Sequence, residues 1–179
     1  MILFDDYSID KISDSDALNL CDLMVSNAER FQRFFPVTLK QNLTLELSEL
    51  FVVKKVKEFE TNEEFLFTLK ANVSSTIIGL VYIKELDWEK KQGELAYCID
   101  VNYEGIGLIT RAVKKLIGYA FNHLGLETLQ IIVHEDNLGS VSIAKKGNFI
   151  WQRTLLNEHT PPNEDPLDME LYELYKIDD

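Results

Sequence analysis

Apolar positions along this chain follow two rhythms, and the rhythm changes near the middle. From Tyr7 to Ile12 polar and apolar residues alternate, the period of a half-buried strand. Ser13-Asp14-Ser15-Asp16 then offers N-cap candidates for a helix running to about Asn27, with Leu20, Leu23 and Met24 on its inner face. The aromatic-rich segment from Arg30 to Phe35 predicts a short helical turn ending at Pro36. Leu43 to Phe59 predicts a longer helix carrying Leu47, Leu50, Phe51 and Val56. Three strands follow, from Glu64 to Lys70, Thr76 to Leu86 and Glu94 to Asp100. A turn at Asn72 to Ser75 and a polar connection at Trp88 to Gly93 join them. Such short connections imply an antiparallel meander.

The period then lengthens. Ile109, Ala112, Val113, Leu116, Ile117, Ala120 and Phe121 recur at helical spacing, opposite Arg111, Lys114 and Lys115. Gly125 is placed to end this helix. A strand at Thr128 to Val133, a short helix at Asn137 to Lys146 and strands at Phe149 to Leu156 and Asp168 to Tyr175 complete the pattern. His159 to Pro166, acidic and proline-rich, reads as a loop between the last two. With no repeat, low-complexity tract or linker, residues 1–179 read as one domain. The order predicts a mixed α/β (α+β) architecture, with a single, mostly antiparallel twisted sheet of about seven strands and about four helices.

Composition narrows the function. A formal net charge of −12 argues against a nucleic-acid partner, which needs clustered Lys and Arg, and suits a cationic substrate or simply solubility. Cys21 and Cys98 stand far from any Cys/His cluster, so neither a disulfide framework nor a metal site is expected. No run approaches the roughly 18–20 apolar residues of a membrane helix. The first six residues lack the basic and apolar regions of a signal peptide, so a cytoplasmic protein is expected.

The candidate chemistry lies at Tyr103-Glu104-Gly105-Ile106-Gly107-Leu108-Ile109-Thr110, between a strand and the strongest helix. Glycines allow close backbone approach, and a helix N-terminus presents unpaired N–H groups, so together they suit a pyrophosphate. Taken alone, the segment reads equally as a structural turn. Thr110 stands where a Rossmann fingerprint continues with Gly, and the Gly-Lys-Ser/Thr of a Walker A loop is absent.

The stretch from Ile99 to Ala112 resembles the acetyl-CoA-binding motif of GNAT acetyltransferases, Q/R-x-x-G-x-G/A. Glu104 stands at the Gln/Arg position, Gly107 at the first Gly and Ile109 at the final Gly/Ala. It is more similar to the RimJ/RimL type, which acetylates N-termini of ribosomal proteins: Tyr103, Gly105, Gly107, Leu108, Ile109, Thr110 and Ala112 fit that form. Asn137 and Ser140 match the family's Asn-x-x-Ser. Lys146-Gly147-Asn148-Phe149 stands where Lys-x-Gly-Phe is usual, and Asp168 to Tyr172 resembles the closing Asp-x-x-x-Tyr. Asn is the next best choice after Gly for a left-handed helix end.

The resemblance implies a GNAT fold and a reaction in which a primary amine attacks acetyl-CoA directly, without a metal. It implies that Glu94 is the base, and that Cys98, Ile99, Val101, Gly105, Ile106, Gly107, Leu108, Ile109, Thr110, Asn137 and Ser140 bind the cofactor. In that reading the strand splays around Cys98 to Val101, exposing backbone groups to the pantetheine arm, and a main-chain N–H near Cys98 polarises the thioester. Ser140 would serve the leaving thiol, and Tyr97 would line the acceptor pocket. Each has a plainer reading: Glu94 as a strand-end charge, Ser140 as a first-turn helical serine, Asn137 as an N-cap, Tyr97 and Cys98 as packing. His134, just after a strand, is a further site candidate, whereas His123 and His159 are assigned no role. The acceptor is expected to be a protein N-terminal α-amine, with a small amine or polyamine as the alternative. A non-catalytic acyl-CoA-binding module is the reading from another class. The chain is expected to act as a monomer or homodimer.

Overall fold

The computed structural model describes residues 1–177. The strands are β1 (Ile2–Phe4), β2 (Tyr7–Lys11), β3 (Phe65–Ala71), β4 (Thr76–Asp87), β5 (Gln92–Ile99), β6 (Thr128–Val133), β7 (Ile150–His159) and β8 (Leu167–Tyr175). The helices are α1 (Ala17–Ser26), α2 (Ala28–Phe31), α3 (Pro36–Lys40), α4 (Leu45–Glu60), α5 (Leu108–Asn122) and α6 (Leu138–Lys146). The strands form one sheet in the order β1-β2-β3-β4-β5-β6-β8-β7. The pairs β1–β2, β2–β3, β6–β8 and β7–β8 are antiparallel, and β5–β6 is parallel. This is the expected mixed, mostly antiparallel sheet, with one strand and two short helices more than the sequence suggested. Among the described residues, no helix is long and apolar enough to cross a membrane.

The chain divides into two compact units. The first comprises Met1–Tyr82 with Tyr97–Leu108, and the second comprises Ile83–Ala96 with the described chain from Ile109 onward. In the first, β1 folds onto β2 through a two-residue hairpin, with Phe4 opposite Tyr7 and Asp5 at φ +49°. On α1, Leu20, Leu23 and Met24 are buried as their spacing predicts. Pro36 was expected to end a turn. It instead opens α3, where its fixed φ suits the first helical position and its missing N–H is no loss.

The inner face of α4 differs from the expected one. Ser48, Phe51, Val52 and Lys55 are buried, while Leu47 and Leu50 are exposed. Lys55 takes a core position because its ammonium donates to Glu58 at 2.7 Å and Glu64 at 2.6 Å. Burial pushes its pKa down, but those two carboxylates outweigh it and hold the group above the usual lysine value.

In the second unit, Ala112, Val113, Leu116 and Ala120 form the buried stripe of α5, as the helical period predicts. Burying a side chain such as Val113 or Leu116 contributes about 1.5–3 kcal/mol. Gly125, at φ +72°, turns the chain, and the Leu126 N–H closes the helix end on the Ala120 carbonyl at 3.1 Å. Asn148 ends α6 at φ +64°, the left-handed conformation anticipated for it. The connection expected over Trp88 to Gly93 is shorter, because β5 already begins at Gln92. Gly93 is therefore a buried strand residue, and an added Cβ would lie 3.1 Å from Leu86, 3.2 Å from Leu126 and 3.3 Å from Ile83.

Candidate functional site

The glycine turn belongs to the first unit. Gly105 and Gly107 take φ of +75° and +78°, a region that costs an L-residue about 1–2 kcal/mol. An added Cβ at either would meet nothing within 4 Å, so backbone torsion rather than crowding favours glycine there. Gly105, Ile106 and Gly107 are exposed to solvent, and Leu108, buried, begins α5. The exposed turn thus runs directly into the free N–H groups of a helix start, which suits an anionic ligand.

The segment leading into this turn is held by two residues that sequence reasoning missed. Asn27, at the end of α1, is only 3% exposed. Its Nδ2 donates to the Leu23 carbonyl and to Asp100 Oδ2, each at 3.0 Å. Its Oδ1 accepts from the Val101 N–H at 3.0 Å and from Arg30 Nη1 at 3.3 Å. Arg30 also donates to the Ile99 carbonyl at 3.3 Å and pairs with Glu104. Asp100 Oδ1 accepts from the Asn102 N–H at 2.8 Å. Burial opposes ionisation of Asp100, but hydrogen bonds from Asn27 and Asn102 and the charge of Arg30 hold its carboxyl below the usual range. The contacts from Asn27 and Arg30 to Ile99, Asp100, Val101 and Glu104 span 69 to 74 residues of sequence, and nothing local in the chain signals them.

Cys98 is buried beside this segment, while Ile99 and Tyr97 are half-buried and Val101 is exposed. Burial pushes the Cys98 thiol up to about 12, against a hydrogen bond from the Leu80 backbone and the charge of Arg30. A thiol so far from ionising is no nucleophile, which leaves packing as its side-chain role.

The second unit holds the ionisable candidate. The parallel pairing of β5 with β6 covers only Gln92↔Thr128, Gly93↔Leu129 and Glu94↔Gln130. Both strands run on past that point, β5 to Ile99 and β6 to Val133. Glu94 is therefore the last residue of β5 paired with β6. Its side chain is 13% exposed, and its Oε1 lies 2.9 Å from Lys84 Nζ. Burial raises its pKa, the charge and hydrogen bond of Lys84 lower it, and the charges of Glu85 and Glu158 raise it again, leaving a net increase.

At the start of α6, Asn137 Oδ1 accepts the Ser140 N–H at 3.2 Å, so Asn137 is the N-cap of that helix. Its oxygen is thereby used, and its amide N–H groups remain the donors it can offer a ligand. Ser140 is half-buried in the first turn, and Ile109 and Thr110 lie in the first turn of α5. His134 follows β6, and its Nδ1 lies 3.2 Å from the Asp136 main-chain nitrogen. Among the described residues, no group of three or more His, Cys, Asp or Glu could hold a metal ion.

A family profile described as "Acetyltransferase (GNAT) domain" matches residues 8–150. The spermidine N(1)-acetyltransferase of Escherichia coli (strain K12) is 34% identical over 80 residues, 45% of this chain and 43% of that protein. Among solved structures, the ribosomal-protein-S5-alanine acetyltransferase of Vibrio fischeri aligns with a TM-score of 0.93 at 21% identity, over 99% of this chain and 97% of that one. RimL, a ribosomal L7/L12 α-N-protein acetyltransferase solved in complex with coenzyme A, aligns with a TM-score of 0.90 at 14% identity, over 97% and 96% of the two chains.

Proposed function

This chain belongs to the GNAT acetyltransferase family, and from that premise we propose that it moves the acetyl group of acetyl-CoA to the α-amine of a protein N-terminus. The observation that carries the reading is Glu94: a mostly buried carboxylate with a raised pKa, at the residue where β5 and β6 cease to pair. The glycine turn fits the donor's pyrophosphate, because it presents exposed, left-handed backbone at a helix start. The fold likeness to two ribosomal-protein acetyltransferases supports the choice of acceptor.

Bound acetyl-CoA supplies the acyl group as a thioester. Glu94 accepts a proton from the acceptor ammonium, directly or through one water, and so frees the nitrogen lone pair for attack. A carboxylate with a raised pKa is better matched to this task, since a base works best when its pKa lies near the working pH. An α-amine, with a reference pKa near 8, asks less of that base than a lysine-type amine near 10.4. A main-chain N–H near Cys98 donates to the carbonyl oxygen as charge develops there, a contribution often worth about 3 kcal/mol. Ser140 Oγ–H donates toward the sulfur as the carbon–sulfur bond breaks. Gly105, Ile106, Gly107, Leu108, Ile109 and Thr110 hold the pyrophosphate, Ile99 and Asn137 bond the pantetheine arm while the exposed Val101 side chain packs along it, and Tyr97 lines the acceptor pocket.

A polyamine acceptor is the second reading. It is favoured by the spermidine-acetylating relative and by the negative charge that Glu85 and Glu158 add around Glu94. Calorimetric titration with acetyl-CoA, on the wild type and Gly107→Glu, tests the donor site. Saturable binding lost in the variant is expected, and no heat with the wild type would sink the reading. A panel of peptide N-termini and polyamines, scored by release of free thiol, then decides the acceptor.

A further inference from the structure

Asn27 has two N–H donors and two acceptor lone pairs on its side chain, and all four are engaged. The partners fix the orientation of the amide: its oxygen faces only donors, Val101 N–H and Arg30, and its nitrogen faces only acceptors, the Leu23 carbonyl and Asp100. A fully satisfied buried amide of this kind rigidifies what it holds. Here it holds the Asp100 carboxylate and the Val101 N–H, a few residues before the glycine turn. At Gly105 and Gly107 an added Cβ would meet nothing within 4 Å, so crowding does not hold the backbone there.

Glu104 sets a second problem. It directly precedes Gly105, so its carboxylate stands beside the stretch read as a phosphate cradle, where like charge weakens anion binding. Arg30 pairs with it while bonding Asn27 and the Ile99 carbonyl. The guanidinium thus cancels the carboxylate's charge and anchors it by the same side chain.

Resting on the reading of residues 105–110 as the donor site, we propose that Asn27 and Arg30 are positioning residues for it. Asn27 fixes the backbone that enters the glycine turn, and Arg30 neutralises Glu104 at the edge of the turn. Neither residue touches the reacting atoms. Their effect falls on donor affinity and leaves the chemical step unchanged.

Three variants, Arg30→Ala, Glu104→Gln and the double substitution, test the charge role by calorimetry with acetyl-CoA. Arg30→Ala is expected to weaken binding about tenfold, the effect of one unopposed neighbouring charge. Glu104→Gln should bind within about threefold of the wild type, and the double variant should recover most of the loss. Residual weakness in the double variant equal to that of Arg30→Ala, or wild-type binding by Arg30→Ala, overturns the charge role. The backbone role is read without any ligand, by amide hydrogen exchange. Asn27→Asp, which sets a carboxylate against Asp100 and the Leu23 carbonyl, should speed exchange at Val101 and through residues 102–107, and protection of β3 should persist. Unchanged protection at Val101 overturns that half. If the wild type binds no acetyl-CoA, the functional reading fails while the exchange result still decides the positioning role.

Discussion

Lys84 Nζ lies 2.9 Å from Glu94 Oε1, so the candidate base is ion-paired with a lysine two-thirds buried on β4. Lys84 pulls the pKa of Glu94 down while burial, the larger effect, pushes it up. Removing the lysine must therefore raise that pKa further. A base works only when deprotonated, so in Lys84→Met the acidic limb of kcat/KM should move to higher pH. An unmoved limb would mean that a different group titrates in catalysis.

Glu94→Gln should lower kcat by about 10²–10⁴-fold, the range of a lost general base. Its stability should move the other way. A folded-state pKa raised above the unfolded value means that the native chain holds this proton more tightly. The group thus favours folding at low pH, and that contribution is lost as pH rises through the folded pKa. At pH 8 the neutral glutamine removes the cost of a buried charge, so thermal unfolding should show a Tm no lower than the wild type. A low kcat accompanied by a falling Tm would point to damage to the fold instead.

The glycines of α5 and of the turn before it should respond oppositely to alanine. Gly118 sits within the helix with open space around it, and Gly118→Ala should stabilise by about 0.5–1 kcal/mol. Gly107→Ala should cost about 1–2 kcal/mol through its positive φ and weaken acetyl-CoA binding as well. Urea denaturation of both variants checks the pair of signs.

With its thiol pushed up to about 12, Cys98 should resist alkylation in the native protein at pH 8, whereas the half-buried Cys21 reacts. Cys98→Ala should keep the wild-type kcat and lose about 1–2 kcal/mol of stability. A large fall in kcat would return the side chain to the mechanism.

Asp100 predicts acid behaviour. Its carboxyl is held below the usual range, so the stability it contributes is present above the unfolded pKa and fades as pH falls through the folded one. Urea midpoints of the wild type and Asp100→Asn should differ at pH 7 and converge below about pH 4. Parallel curves across that window would remove the carboxylate from the account.

Most elements were legible because their signals are local. The helical period of α5 and the left-handed residues at Gly125 and Asn148 each arise within a turn or one element. The errors fall where distant partners decide. Lys55 reads as a surface residue until Glu58 and Glu64 neutralise it, and this moved the predicted face of α4. The strand β1, three residues long and without alternation, gives no period to read. At the candidate site the glycine turn is legible from its residues and its place before a helix, and Glu94 is reached through the family resemblance. Asn27, Arg30 and Lys84 are not legible, because an asparagine or a cation means little until its partners are known.

The glycines of this chain answer to two different rules. At Gly93, one residue before Glu94, a Cβ would press on the side chains of Leu86, Leu126 and Ile83 at 3.1, 3.2 and 3.3 Å, so crowding disfavours a larger residue beside the candidate base. At Gly105 and Gly107 there is room, and what disfavours other amino acids is their handedness. A D-alanine introduced at 107 by chemical synthesis would escape the torsional cost that an L-alanine incurs. The glycine turn is thus a place where the mirror form of alanine would fit better than the one the ribosome supplies.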